Sequence, residues 1–276
     1  MNSQLHGETT LSDDTDRYRA PALDKGLDIL ELLSGIDGGL TQAEIAKALG
    51  RSPNEFYRML DRLARRGYVA RVEGDRYALT LKLFGLAHLH TPIRRLASLA
   101  TPLLRALAKQ TWQANQLVVL DRGNPVVVAQ QEAPGYWGIS IRVGSHIGLF
   151  DTGSGHVLLA FATPERRREI VAENQDTGAP AREIPPELEA RFAKIRAQGY
   201  EAMPSAQTMG VTNLSAPVLA PNGEVVAAVT IPYLPLRDTT GAPSIEEAAP
   251  ALLETTRALS ALIGRNDPEG ETFASE

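Results

Sequence analysis

Cysteine is absent from the 276-residue chain. That excludes a disulfide framework, a thiolate zinc site, a cysteine nucleophile and a thiolate-held iron–sulfur cluster. Long apolar runs are missing too. Dense apolar stretches such as residues 157–162 and 225–229 fall well short of the ~18–20 residues that span a bilayer. The first twenty residues carry Asp13, Asp14 and Asp16 and no apolar leader segment, so no membrane partner and a cytoplasmic location are expected. Histidine is scarce: His6, His88, His90, His146 and His156 are all there are. His88 and His90 are two apart and point to different faces of a helix, which makes a poor metal pair. His146, Asp151 and His156 can converge, but no third fixed ligand is evident. Ser154 sits in Gly-Ser-Gly and not in a nucleophile elbow. Phosphate-loop and dinucleotide fingerprints are lacking. Neither a catalytic centre nor a metal or cofactor is therefore expected.

What is present suits a folded chain. Hydrophobic residues make up 43% and charged residues 22%, and the length suits about two domains at ~150 residues each. The 23 Gly and 18 Pro follow no fixed period, which excludes a collagenous repeat. The net charge of −5 hides an asymmetry, because residues 47–82 hold nine basic and four acidic side chains. Such a stretch reads either as a phosphate-binding footprint or as a solvated helix face.

Pattern favours the footprint. A first helix is expected over residues 22–34, with Leu23, Leu27, Leu30 and Leu33 on one face. Thr41-Gln-Ala-Glu44 is a capping-box pattern opening a two-turn helix that Gly50 closes. Ser52-Pro-Asn-Glu55 is a second one, with Pro53 at the first helical position. Phe56, Met59, Leu60 and Leu63 form the buried stripe of this third helix, and Gly67 stops it. Residues 68–72 and 76–80 then alternate as a hairpin around Glu73-Gly74-Asp75. Helix, glycine, helix and hairpin in this order make a winged helix-turn-helix. Asn54, Tyr57 and Arg58 are the candidates for base edges. Arg51, Arg62, Arg71 and Arg76 are those for phosphate, with Ser52 at the cap among them. Arg65 and Arg66 lie further along and pack near the wing.

Residues 22–30, Leu40-Thr-Gln-Ala-Glu-Ile-Ala46, Phe56-Tyr-Arg-Met-Leu60 and Arg66-Gly-Tyr-Val69 resemble the IclR family of bacterial transcriptional regulators. Leu79-Thr-Leu-Lys-Leu83, Val143-Gly-Ser145, Gly153-Ser-Gly-His156, Gln198-Gly-Tyr200 and residues 210–217 continue the likeness over most of the chain. The resemblance implies a winged helix-turn-helix, a linker helix and a GAF-like effector-binding domain, assembled as homodimers or dimers of dimers on operator DNA. Arg58 matches the family's usual recognition-helix arginine, and Tyr57 sits where His or Tyr is common. Asn54 and Glu55 depart from its Ser and Thr. Glu55 either caps the helix or accepts from a cytosine amino group.

Beyond the wing, an α+β domain is expected. Helices cover residues 81–90 and 93–110, with Pro102 able to start a fresh helix, then 154–162, another from Glu165, 186–198 and 245–264. Strands cover 115–120, 126–131, 138–143, 215–219 and 225–231. The boundaries drawn are a tail to residue 20, the winged domain over 21–80, a linker over 81–95, the effector domain over 96–265 and a disordered tail from 266. Asp151-Thr-Gly-Ser-Gly-His156 opens a helix. It is either an ordinary strand-to-helix turn or a carboxylate site at the helix's positive end, around Gly153 and Ser154. The resemblance favours the second. It also places Asn213 at a position that is Cys in the family, and Thr230 and Pro232 at its later pocket positions. The family's acidic residue near Met203 is absent. Trp137, Phe150 and Tyr233 lie either in the pocket or in the core, and Leu149 and Ser215 complete the candidate effector set.

The function expected is a DNA-binding regulator, by preference a repressor, modulated by a small organic acid, aromatic ones included. The alternative is a carrier or enzyme that keeps the winged helix for dimerisation.

Overall fold

The computed structural model describes residues 20–89, 91–135, 138–174, 183–236 and 241–265. The expected tails and Trp137 lie outside the described residues. The chain forms two compact units, Met1–His90 and Thr91–Glu276.

In the first unit α1 (Pro21–Ser34), α2 (Gln42–Ala48) and α3 (Pro53–Arg65) surround a small core of Ile29, Leu33, Ile45, Phe56, Leu60 and Val69. The apolar stripe of α1 is only half used. Ile29 and Leu33 are buried, whereas Leu23 and Leu27 are exposed. Both capping boxes form. The Thr41 N–H donates to Glu44 Oε2 at 2.8 Å, and the Thr41 hydroxyl accepts from the Glu44 N–H. The Ser52 N–H and hydroxyl both donate to Glu55 Oε1, at 3.3 and 3.1 Å. The Gln42 amide donates to the Pro53 carbonyl and ties α2 to the start of α3. Local chemistry thus fixes the start of each helix and the link between them.

The wing is a sheet of three strands ordered β1-β3-β2, from β1 (Leu40–Thr41), β2 (Val69–Val72) and β3 (Arg76–Leu79). Gly39 lets β1 reach it. Its φ is +72°, and a Cβ there would sit 2.5 Å from the Tyr77 carbonyl oxygen. A further helix, α4 (Lys82–Leu89), follows.

The second unit opens with α5 (Thr91–Thr111), β4 (Asn115–Asp121) and β5 (Asn124–Gln131). Then come α6 (Gly153–Ala160), α7 (Pro164–Glu173), α8 (Pro186–Gln198), β6 (Glu201–Pro204), β7 (Thr212–Leu219), β8 (Val225–Tyr233) and α9 (Ile245–Leu262). The sheet order is β5-β4-β8-β7-β6, antiparallel at every junction. One face packs on α5 and α9 through Leu104, Leu107, Leu117, Ile231, Leu252 and Leu259. The other packs on α6, α7 and α8 through Val118, Val127, Leu158, Ile170 and Phe192. A sheet covered on both faces buries every position of a central strand, which is why β8 reads as a nearly continuous apolar run. Each large side chain so buried contributes ~1.5–3 kcal/mol.

Two expectations change. Pro102 lies inside α5, which runs through it and does not restart. Residues 138–143 form no strand. It is residues 144–147 that approach β5: the Val127 N–H donates to Ser145, Gly144 donates to the Val127 carbonyl, and Ile147 donates to Pro125. Pairing stays local because only one bridge, Val126 to His146, meets ladder geometry.

Candidate nucleic-acid interface and ligand cavity

Along α3 the apolar stripe turns inward and leaves the cations outside. Asn54, Tyr57, Arg58 and Arg62 are exposed, Tyr57 by 59%. Arg58, Arg62 and Arg66 recur every four residues on one face. None of the three has an ion-pair partner among the described residues. The other candidates are engaged. Arg51 lies 3.8 Å from Glu55, Arg65 pairs with Asp61 at 2.9 Å, and Arg71 pairs with Asp75 at 2.9 Å across the wing turn. Arg76 turns inward, donating to the Gly39 carbonyl at 2.9 Å and pairing with Glu44 at 3.3 Å. Glu55 takes the capping role. The Lys25 ammonium at 2.8 Å and the Ser52 donors hold its carboxyl down to about 2. Both its oxygens are therefore occupied where a cytosine amino group would need one.

The second unit holds a cavity of about 410 Å³ at the start of α6. Gly153, Ser154, Asn213, Thr230 and Pro232, all expected around a ligand, line it. So do Gln116 on β4, His146, and the loops carrying Ile139, Ser140, Ser205 and Thr208. Strand register sets out the floor. Gln116 stands opposite Thr230, Thr230 opposite Ser215, and Ser215 opposite Glu201, one polar row across four strands. The Thr230 hydroxyl lies 2.7 Å from both the Ser154 and Ser215 hydroxyls. Ser215 is fully buried behind Gly153, where a Cβ would meet its Oγ at 2.5 Å.

Other expected residues lie elsewhere. Leu149 is buried in the α6-side core, and Phe150 packs against that core while its carbonyl accepts from His156. Tyr233 belongs to the opposite core and donates its hydroxyl to the Pro243 carbonyl at 3.0 Å. Trp137 is outside the described residues.

Beside the cavity wall His156 Nδ1 lies 3.1 Å from Glu201 Oε2, and Arg191 donates to Glu201 Oε1 at 2.8 Å. Glu201 is 2% exposed. Burial pushes its carboxyl up, but the hydrogen bonds from His156 and Arg191 outweigh that and hold it below the usual carboxylate range. This acid follows Gly199-Tyr200 directly, two residues before the Met203 position where the resemblance implies one. His156 is thereby committed to the fold while His146 faces the cavity. Among the described residues no three His, Asp or Glu side chains gather as a metal site. Nor, among them, is any helix long and apolar enough to cross a membrane.

A capped helix-turn-helix with a cationic second helix, a wing, and a second unit with a ligand-sized cavity define a DNA-binding regulator. The chain belongs to the IclR family of bacterial transcriptional regulators. The profile of the IclR helix-turn-helix domain matches residues 22–73, and that of the bacterial transcriptional regulator IclR C-terminal domain matches residues 90–261. The uncharacterized HTH-type transcriptional regulator RhmR of Escherichia coli K12 is 26% identical over 215 residues, 77% of this chain and 82% of that protein. The transcriptional repressor IclR of the same organism is 23% identical over 219 residues, 76% of this chain and 78% of that protein. Two solved structures share the fold at a TM-score of 0.70, each covering 88% of this chain and 98% of the other: the Thermotoga maritima IclR, 24% identical, and an IclR homologue from Microbacterium hydrocarbonoxydans complexed with 4-hydroxybenzoate, 22% identical. These relatives are regulators, and the chain is a transcriptional regulator and not an enzyme.

Proposed function

We propose that the chain is a repressor whose affinity for its operator is set by a small organic acid held in the cavity at the start of α6. The observation that carries the DNA half is the uncommitted cation row on α3, beside Tyr57. Two copies of the chain would place two such helices in successive major grooves of a pseudo-palindrome, with Arg58, Tyr57 and Asn54 at base edges. Arg51, Arg62, Arg71 and Arg76, with the Ser52 cap, would lie along phosphates. The Arg58 row meets that role with free guanidinium groups, whereas Arg71 and Arg76 would have to exchange a protein partner for a phosphate.

The acid half is supported by the N-terminus of α6, whose free N–H groups at Gly153 and Ser154 suit a carboxylate. The relatives named as repressors and the 4-hydroxybenzoate complex point the same way. Acid binding would shift operator affinity by a coupling free energy of ~1–3 kcal/mol.

Fluorescence anisotropy on DNA from the region upstream of the protein's own gene tests this. The expected result is sequence-selective binding whose log affinity falls linearly with log salt, with a slope of about 0.9 per phosphate contact. An acid should then release the DNA. Affinity that is flat in salt, or equal on scrambled DNA, would move the weight to the carrier reading.

A further inference from the structure

The cavity has no cation to offer an acid. Its described lining contains no lysine or arginine, and His146 is the one titratable side chain in it. What it offers an anion is α6 itself. All eight residues of that helix are buried. Its negative end is covered: Arg167 donates to the Leu159 and Ala162 carbonyls and Arg196 to the Ala160 carbonyl. Its positive end opens on the cavity.

One polar group on the floor is left over. Gln116 is 3% exposed and lines the cavity. Its amide has no hydrogen-bond partner among the described residues. Its register neighbour Thr230 is engaged elsewhere, its hydroxyl lying between those of Ser154 and Ser215. The amide is reached from the cavity and offers donors and an acceptor side by side. A carboxylate only accepts, so it would leave the amide oxygen bare. A hydroxyl both donates and accepts, and can serve the amide oxygen as well as an N–H.

From the buried, unpartnered Gln116 amide facing the N-terminus of α6, we infer that the cavity is built for a hydroxy-substituted carboxylic acid, with Gln116 reading the hydroxyl. This rests on the reading of the cavity as an acid site. The carboxylate takes the N–H groups at Gly153 and Ser154, and the hydroxyl lies over β4. Aliphatic and aromatic hydroxy acids share this chemistry, and both fit about 410 Å³.

Isothermal titration calorimetry on the full chain without DNA tests it with matched acids: gluconate against hexanoate, and 4-hydroxybenzoate against benzoate. The hydroxylated member of one pair should bind about ten- to a hundred-fold more tightly than its deoxy partner. The pair that shows this identifies the aliphatic or the aromatic source. In Gln116→Met the hydroxylated acid should weaken to the level of its deoxy partner, and the deoxy acid should hold or improve.

Equal binding within each pair of the wild type overturns the inference and leaves the acid site standing. So does an equal loss of both members in Gln116→Met. The wild-type comparison needs no variant to fold. Ser140→Trp, on an exposed loop of the cavity wall, tests the underlying reading separately. Undiminished binding there, or no binding of any of the four acids, overturns both.

Discussion

On α3, Arg58 and Arg62 stand in solvent as full charges, whereas the cavity beside α6 holds backbone N–H groups, hydroxyls and three amides without a cation in its described lining. The first arrangement suits a polyanion: full charges act at range, tolerate small displacements and release counterions. The second suits a small ligand of fixed shape. Oriented neutral dipoles act only at contact, and burial strengthens them. On the proposed function, one chain would thus meet anions through exposed charge in one unit and through buried geometry in the other.

The contrast is broken most severely at Glu201. Glu201→Ala would leave Arg191 and His156 without their carboxylate, and stability measured by urea denaturation should fall by ~3–5 kcal/mol. A loss under ~1 kcal/mol would mean that the network does not hold the ligand unit together. Because the folded carboxyl lies below its unfolded value, this contribution is present above the usual carboxylate range and is lost as pH falls through the lower folded value. Glu201→Gln should therefore flatten the acid limb of the stability curve.

Gly155→Ala comes next. Its Cβ would sit 2.1 Å from the Leu149 carbonyl oxygen, so a cost of ~1–3 kcal/mol is expected, read from the same denaturation curve. Arg58→Ala should cost about as much, but in operator affinity, and should relax one base preference. An unchanged preference would place another residue at the base edge. Arg62→Ala sharpens the contrast further: it should weaken all DNA sequences alike and lower the salt slope by about one. Acid binding in the same variant should be unmoved.

The smallest effect is expected at Glu55. Glu55→Gln should lower the melting temperature slightly at neutral pH. The difference from wild type should vanish as pH falls from 4.5 toward about 2, where the wild-type carboxylate is itself protonated.

Legibility in the sequence divides along the same line. The two capping boxes, the glycine between them and the wing turn are local patterns, and each forms where the spacing puts it. The opening of α6 is local too. What the pattern of α1 could not convey was coverage: Leu23 and Leu27 share a face with Leu33, but only the later turns, with Ile29 and Leu33, are buried in the core. The polar row that starts at the cavity with Gln116 and Thr230 and runs on into the buried interior was hidden for a different reason. Gln116, Thr230, Ser215 and Glu201 come from four strands, and only long-range register aligns them. A polar Asn115-Gln116 pair opening an otherwise apolar strand was the one local hint of Gln116.

The complete burial of α6 also constrains how such a protein can be retuned. Gly153 and Gly155 admit no side chain, and every other position of the helix is packed. A laboratory search for variants answering to new inducers will find few survivors along 153–160. Productive diversity belongs on the loop positions that wall the cavity, 139–141, 205, 207 and 208, where a side chain can change size without moving α6. A library restricted to those six positions is small enough to screen in full for pairs, which would make the scaffold a practical starting point for a metabolite-responsive genetic switch.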